Sequence, residues 1–93
     1  MTNVTLKFTG EVWARMQKYE MKFAFEGTTL GDLLNTLFAR YNLRDLVLDA
    51  HGQFAFRSGI LVNGRSAKYL GVFDAPIHPG DEVIIMRPSI AAV

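Results

Sequence analysis

The residue types that most often carry chemistry are sparse in this chain. His51 and His78 lie in separate polar segments with no third ligand at metal-binding spacing, so solvated loop histidines are the simpler interpretation. Asp81 and Glu82 follow a Pro-Gly pair, which favours a turn residue and a strand start over an acid/base couple. The sequence contains no cysteine, which excludes disulfides, thiolate metal sites and a cysteine nucleophile. We therefore predict no active site of its own, no metal site and no cofactor.

The sequence also indicates a surface for binding a partner, in the apolar segment around residue 85. Residues 82–86 are apolar on both alternating faces, as in a central strand. If Val83 and Ile85 face a helix, Ile84 and Met86 face the open side of the sheet, because strand side chains alternate. Unless a loop covers this pair, it forms an apolar contact surface for a partner. The predicted surface is bordered by Arg87 and Pro88, with Lys7 and Lys22 as a polar rim.

Charge and composition narrow the class of protein. Ten Lys and Arg residues balance nine Asp and Glu residues and are spread along the chain. This argues against nucleic acid as the main partner, because phosphate binding needs clustered positive charge. The first residues show no signal-peptide pattern, and no apolar stretch approaches the ~18 residues that span a membrane. With 93 residues, of which 49% are hydrophobic, we expect one cytoplasmic domain with a single core.

The elements that must position the predicted surface begin with a hairpin. Residues 4–9 and 20–26 each alternate apolar and polar side chains, which is typical of half-buried strands. The connection at residues 11–18 is longer than a tight turn. We expect Trp13 and Met16 to pack over an end of the sheet.

An amphipathic helix follows the hairpin. Thr29 and Asp32 have the spacing of a capping box, which predicts that the helix begins there. From this point apolar residues recur at helical spacing, and we predict a helix over residues 30–41. The apolar stripe consists of Leu30, Leu33, Leu34, Leu37, Phe38 and Tyr41.

The later elements are short strands. Residues 54–62 predict a strand, and Asn63-Gly64 predicts a tight hairpin turn because both residues tolerate positive φ. Residues 68–70 are expected to return as a short strand, before the central strand at 82–86.

The complete order is β-β-α-β-β-β, an α+β fold in which one main helix crosses a mixed sheet. We assign residues 1–88 to this single domain. Residues 89–93 have no period and follow Pro88, so we expect a flexible C-terminal tail.

Four segments, in this order and spacing, resemble a known family. They are residues 27–34 at the helix start, 61–65 around the Asn-Gly turn, 70–77, and 79–83. Over nearly its whole length the chain resembles the MoaD/ThiS family of ubiquitin-like sulfur carriers. It is more similar to MoaD, because of its longer middle segment and its Leu-Gly-x-x-Asp-x-Pro passage. The resemblance implies the β-grasp fold and a carrier without an active site of its own.

The resemblance also implies a mechanism that uses the C-terminus. In this family the tail ends in Gly-Gly, an E1-like adenylyltransferase activates the terminal carboxylate, and a sulfur donor converts it to a thiocarboxylate. The tail then enters a synthase subunit. Here Ala91 and Ala92 occupy the glycine positions and Val93 follows, so the acyl group would be the carboxylate of Val93. The added Cβ atoms crowd a narrow channel, and Val93 is stiff because it is β-branched.

Two functions remain open. The first is a sulfur carrier for molybdenum- or tungsten-pterin cofactor assembly, with an E1-like adenylyltransferase and a synthase large subunit as partners. The second is a non-catalytic β-grasp subunit or regulator that docks on a larger complex, such as an oxidoreductase. A third, an RNA-binding module, is disfavoured by the even charge. The predicted partner-binding residues are Ile84, Met86, Arg87, Pro88, Ser89, Ile90, Ala91, Ala92 and Val93.

Overall fold

Residues 1–88, which the computed structural model describes, form a five-stranded mixed sheet with α-helices packed against it. The expected tail at 89–93 lies outside the described residues. The strands are β1 (Thr2–Thr9), β2 (Glu20–Phe25), β3 (Gly59–Val62), β4 (Arg65–Ser66) and β5 (Glu82–Arg87). The α-helices are α1 (Gly10–Met16), α2 (Leu30–Arg40) and α3 (Arg44–Val47).

The strand order is β2-β1-β5-β3-β4, so the last strand lies in the centre of the sheet, as predicted. Strand β1 pairs with β2 in the expected antiparallel hairpin and with β5 in parallel. On its other side β5 pairs antiparallel with β3. No helix within the described part of the chain is long and apolar enough to cross a membrane.

The core lies between α2 and the inner face of the sheet. The four leucines of the α2 stripe and the inward apolar side chains of β1 and β5 are buried, whereas Phe38, Tyr41 and the inward Met21 of β2 are partly buried against the core. This confirms the predicted helix and its orientation, although the helix ends at Arg40, one residue earlier than predicted. The buried residues include Val4, Leu6, Phe8, Phe23, Leu30, Leu33, Leu34, Leu37, Val83 and Ile85.

The start of α2 is fixed by the predicted capping box. The Asp32 backbone N–H donates to the Thr29 hydroxyl, and the Asp32 carboxylate accepts hydrogen bonds from the N–H groups of Thr28 and Thr29. These bonds, that from Thr28 first, lower the pKa of Asp32 below its ordinary value of 3.8. Because folding lowers this pKa, the stabilisation from the capping box is present at pH values above the ordinary pKa. It is lost as the pH falls through the lowered pKa of Asp32.

Residues 11–18 contain helix α1 rather than the expected long connection. The helix begins at Gly10, whose φ is +60°. A Cβ there would lie 2.1 Å from the carbonyl oxygen of Arg87, so only glycine allows β1 to end this close to β5. Val12 is buried, and Trp13 and Met16 pack partly buried against the core, as expected.

The segment after β3 also differs from the prediction. Of residues 54–62 only Gly59–Val62 form a strand, and residues 68–70 do not return as one. The return strand is β4, and a 3₁₀ turn at Ala67–Tyr69 follows it. The Ser66 side chain accepts a hydrogen bond from the Lys68 N–H, which turns the chain out of the ladder.

Truncating the apolar stripe of α2 tests the packing of the core. Leu34 is only 2% exposed, so Leu34→Ala should lower the free energy of unfolding by about 2–5 kcal/mol through the cavity it leaves. Urea denaturation measures this change. Asn35→Ala, at an exposed position of the same helix, is the control and should change stability by less than about 0.5 kcal/mol. Equal effects of the two variants would contradict the assigned orientation of α2.

Candidate functional site

The face of the sheet opposite α2 carries two of the predicted partner residues, Ile84 and Met86. Along β5, Val83 and Ile85 are buried, whereas Ile84 and Met86 are half-buried on the opposite face. The register places Leu61 of β3 beside Ile84, so Leu61 lies on the same face, and it too keeps part of its surface exposed. We call Leu61, Ile84 and Met86 the open-face patch.

The patch has one member that sequence reasoning missed. Ile60, Leu61 and Val62 are all apolar, so the sequence does not show which of them faces outwards. Ile60 and Val62 are buried, and Leu61 is identified only by its pairing with β5. Gly59 pairs with Met86 and contributes no side chain there, which leaves Met86 uncovered by β3 at that position.

A polar rim runs along β1 and β2 beside the patch, as predicted. The Lys7 Nζ lies 2.8 Å from a Glu82 carboxylate oxygen and 4.0 Å from one of Glu20. The hydrogen bond to Glu82 is the main cause of the raised pKa of Lys7. The stabilisation from the Lys7–Glu82 pair is therefore present at pH values below the ordinary lysine pKa, and it is lost as the pH rises through the raised pKa of Lys7. The pair is intact at neutral pH. The Lys22 Nζ donates to the Thr5 hydroxyl at 2.8 Å.

Arg87 does not border the open-face patch as expected, because it continues the alternation of the buried side chains of β5. Its Nε lies 3.0 Å from a Glu11 carboxylate oxygen. Its Nη1 donates to the carbonyl oxygens of Asp45 and Leu46 at 3.3 and 3.2 Å. The guanidinium therefore joins α1 and α3 to the end of β5. Partner contact by Arg87 remains a prediction.

The other predicted partner residues lie beyond β5. Pro88 is exposed. Ser89, Ile90, Ala91, Ala92 and Val93 lie outside the described residues, and their partner contacts remain predictions.

The histidines and acidic residues are placed as loop and turn residues. His51 and His78 are both exposed. Asp81 accepts hydrogen bonds from the His78 N–H and the Asn63 side-chain amide, at 2.8 and 2.9 Å, and so joins the turn before β5 to the β3–β4 turn. Within residues 1–88, no group of three His, Asp or Glu side chains could hold a metal ion.

Comparison with known proteins finds similarity in structure only. No protein-family model and no curated protein matches this chain in sequence. SAMP1 from Haloferax volcanii matches at a TM-score of 0.80 with 20% identity, over 97% of this chain and 99% of that one. CysO, in the BexX/CysO complex of Amycolatopsis orientalis, matches at 0.75 with 14% identity, over 96% and 99%. A Pyrococcus furiosus protein named as a candidate molybdopterin converting factor subunit 1 matches at 0.71 with 20% identity, over 96% and 100%.

At these identities the likeness shows the fold, and it covers essentially the whole of each chain. The protein has the ubiquitin-like β-grasp fold. The predicted fold class and the resemblance to MoaD/ThiS-type proteins are thereby confirmed at the level of the fold. In this β-grasp domain α2 covers one face of the sheet, and the partly exposed apolar side chains of Leu61, Ile84 and Met86 lie on the other.

Truncating Arg87 tests its role in joining α1 and α3 to β5. Arg87→Ala should lower the free energy of unfolding by about 1–3 kcal/mol, because it removes charge-assisted hydrogen bonds from partly buried carbonyl groups. Arg87→Lys should recover only part of the loss, since an ammonium group lacks the planar fork of donors. Arg65→Ala, at an exposed position of β4, is the control. Unchanged stability of Arg87→Ala in urea denaturation would contradict this role.

Proposed function

We propose that this chain is a MoaD/ThiS-type ubiquitin-like carrier that docks through its open-face patch. Its partners are an E1-like adenylyltransferase and then the large subunit of a synthase, in molybdenum- or tungsten-pterin cofactor assembly. The observation that carries the proposal is the exposed apolar surface of Leu61, Ile84 and Met86 on and beside the strand that precedes residues 89–93. In this proposal the domain is the part that partners recognise, and the chemistry takes place at the C-terminal carboxylate.

Geometry links the docking surface to that chemistry. Residues 89–93 follow directly after Pro88 in the sequence, and five residues reach at most about 17 Å when fully extended. For the Val93 carboxylate to react, a partner docked on Ile84 and Met86 must therefore place its active site within about 17 Å of Pro88. Fixing two reacting groups in this way lowers the entropic part of the barrier.

Two further facts support docking on another protein. CysO, which shares the fold, is found in a complex with BexX. In this chain the patch combines apolar side chains at its centre with the Lys7, Glu20 and Glu82 charges at its rim. An apolar centre with a polar rim is the usual anatomy of a protein–protein interface.

A second candidate function is a non-catalytic β-grasp subunit that docks without forming a thiocarboxylate. The observation that favours it is the sequence Ala91-Ala92-Val93 at the positions where the family has Gly-Gly. An acyl-adenylate can form on any carboxylate, so adenylation of Val93 is chemically allowed. Its branched side chain and the preceding Cβ atoms nevertheless fit a channel shaped for glycine poorly.

A charge placed in the open-face patch tests docking. Ile84→Asp should raise the Kd for the E1-like adenylyltransferase by at least about 100-fold, because the complex would bury an unpaired carboxylate. Since Ile84 is only partly buried in the free domain, the melting temperature should change by no more than about 2 °C. Isothermal titration calorimetry and thermal melts measure the two effects.

The matched control is Ala24→Asp, which puts the same charge on the same face but on the edge strand β2. This variant should keep most of the affinity. Unfolding of Ile84→Asp would show that Ile84 belongs to the core and that the patch does not exist.

Intact-mass measurement separates the two candidate functions. The 93-residue chain is compared with a variant carrying Ala91→Gly and Ala92→Gly and lacking Val93, each incubated with the E1-like enzyme, ATP and sulfide. We expect slower conversion of the native chain, seen as the mass change of one sulfur replacing one oxygen. Conversion of the variant alone would favour the non-catalytic function. Rapid and complete conversion of the native chain would exclude it, and conversion of neither would contradict the carrier proposal.

A further inference from the structure

The net charge is close to zero, but the charged residues are unevenly distributed along the chain. Residues 50–73 contain no Asp or Glu but include Arg57, Arg65 and Lys68, a charge of +3. The remaining seven basic residues stand against nine acidic ones, which leaves −2 for the rest of the chain. Arg57, Arg65 and Lys68 are all exposed, and within the described residues none of them forms a salt bridge.

The same segment carries the two most exposed large apolar side chains of the described residues. Phe56 is 81% exposed and Tyr69 is 80% exposed. The Arg57 guanidinium lies over the Phe56 ring, 5.4 Å from its centroid, so a cation and an aromatic surface are presented together. Aromatic residues and arginine dominate the binding energy of protein interfaces, whereas exposing them to water alone gains nothing.

A groove of about 370 Å³ lies at the β3–β4 end of the sheet, within the same segment of the chain. Its lining residues are Phe54, Ala55, Ser58, Gly59, Ile60, Ser66 and Lys68. Phe56 and Arg57 lie in the sequence between lining residues on one side, and Tyr69 follows Lys68 on the other. Lys68 therefore lines the groove itself, and Arg57 and the two exposed aromatic residues directly adjoin its lining residues in the chain. The lining combines the apolar residues Phe54, Ala55 and Ile60 with the polar residues Ser58, Ser66 and Lys68.

We propose that this basic-aromatic groove, rimmed by Phe56, Arg57, Lys68 and Tyr69, binds an acidic segment of a partner protein. Carboxylates of the segment pair with Arg57 and Lys68, and one or two of its apolar side chains enter the groove. Because the side chains at the groove are positively charged, it favours acidic segments over neutral or basic ones. The groove shares no lining residue with the open-face patch, although Gly59 and Ser66 pair with Met86 and Leu61 of the patch. Recognition of an acidic segment by this groove goes beyond the proposed carrier function.

Two properties of the groove favour a protein segment over nucleic acid. Three cations are few for a phosphate backbone, whose binding rests on neutralising many charges. Its volume of about 370 Å³ suits one or two side chains rather than a run of stacked bases, each of which needs its own aromatic platform.

The test uses the full chain, labelled with ¹⁵N, and a short synthetic peptide of alternating Glu and Leu. The peptide should shift the amide signals of residues 56–59 and 66–69. Its affinity should fall by at least about tenfold between about 50 mM and about 300 mM salt, because the charges are exposed and are screened. A peptide with Gln in place of Glu should bind at least about tenfold more weakly.

Charge reversal at the rim gives the decisive comparison. Arg57→Glu combined with Lys68→Glu should weaken binding of the Glu peptide by at least about tenfold. Lys18→Glu combined with Arg40→Glu makes the same change in net charge at exposed positions outside the segment and should keep the affinity within about twofold. Ile84→Asp should leave peptide binding unchanged, so this test and that of the carrier function succeed or fail separately.

Three results would overturn the proposal. The first is a set of peptide-induced amide shifts that map to residues away from the groove. The second is an equal loss of affinity in both double variants, which would show attraction to net charge alone. The third is binding of a single-stranded oligonucleotide of the same charge as tightly as the peptide, which would make the groove a nucleic-acid site.

Discussion

Strand β5 lies in the centre of the sheet, hydrogen-bonded to β1 on one side and to β3 on the other, and this position determines which side chains face solvent. Successive side chains of a strand point to opposite faces, so Val83 and Ile85 pack into the core while Ile84 and Met86 point away from it. Helix α2 covers only the core face. Because the helices cover an apolar central strand on one face only, its other face presents an apolar surface.

The contacts around β5 fix the neighbouring elements on both faces of the strand. Arg87 binds Glu11 and the carbonyl groups at residues 45 and 46, so α1 and α3 are fixed to the end of the strand from the core side. On the open side, Lys7 and its two carboxylate partners border the patch. The surfaces that we propose for partner binding are thus formed by regular secondary structure, and the proposed carrier function uses the strand that precedes residues 89–93.

Much of the fold could be predicted from the spacing of apolar residues and from the helix-capping residues, because both signals are local in the sequence. The stripe of α2 and its Thr29–Asp32 box specify the helix and its buried side, and the alternation of Ile84 and Met86 specifies the open face. The sequence does not show which face of the sheet Leu61 occupies, since both of its neighbours are apolar. Only the pairing of β3 with β5 places it on the open face. Helix α1 has seven residues, too few to show a helical period. The face of Arg87 follows from its position two residues after Ile85, because alternate residues of a strand share a face.

The most direct test of the docking face is methyl NMR of the chain labelled at Ile, Leu and Met, titrated with the E1-like adenylyltransferase. The account predicts that the methyl signals of Leu61, Ile84 and Met86 shift or broaden first. The buried methyl groups of Leu33 and Leu37, on the far side of the sheet, should change little. Perturbations confined to other surfaces, with Leu61, Ile84 and Met86 unaffected at saturation, would contradict the claim that partners recognise the open face.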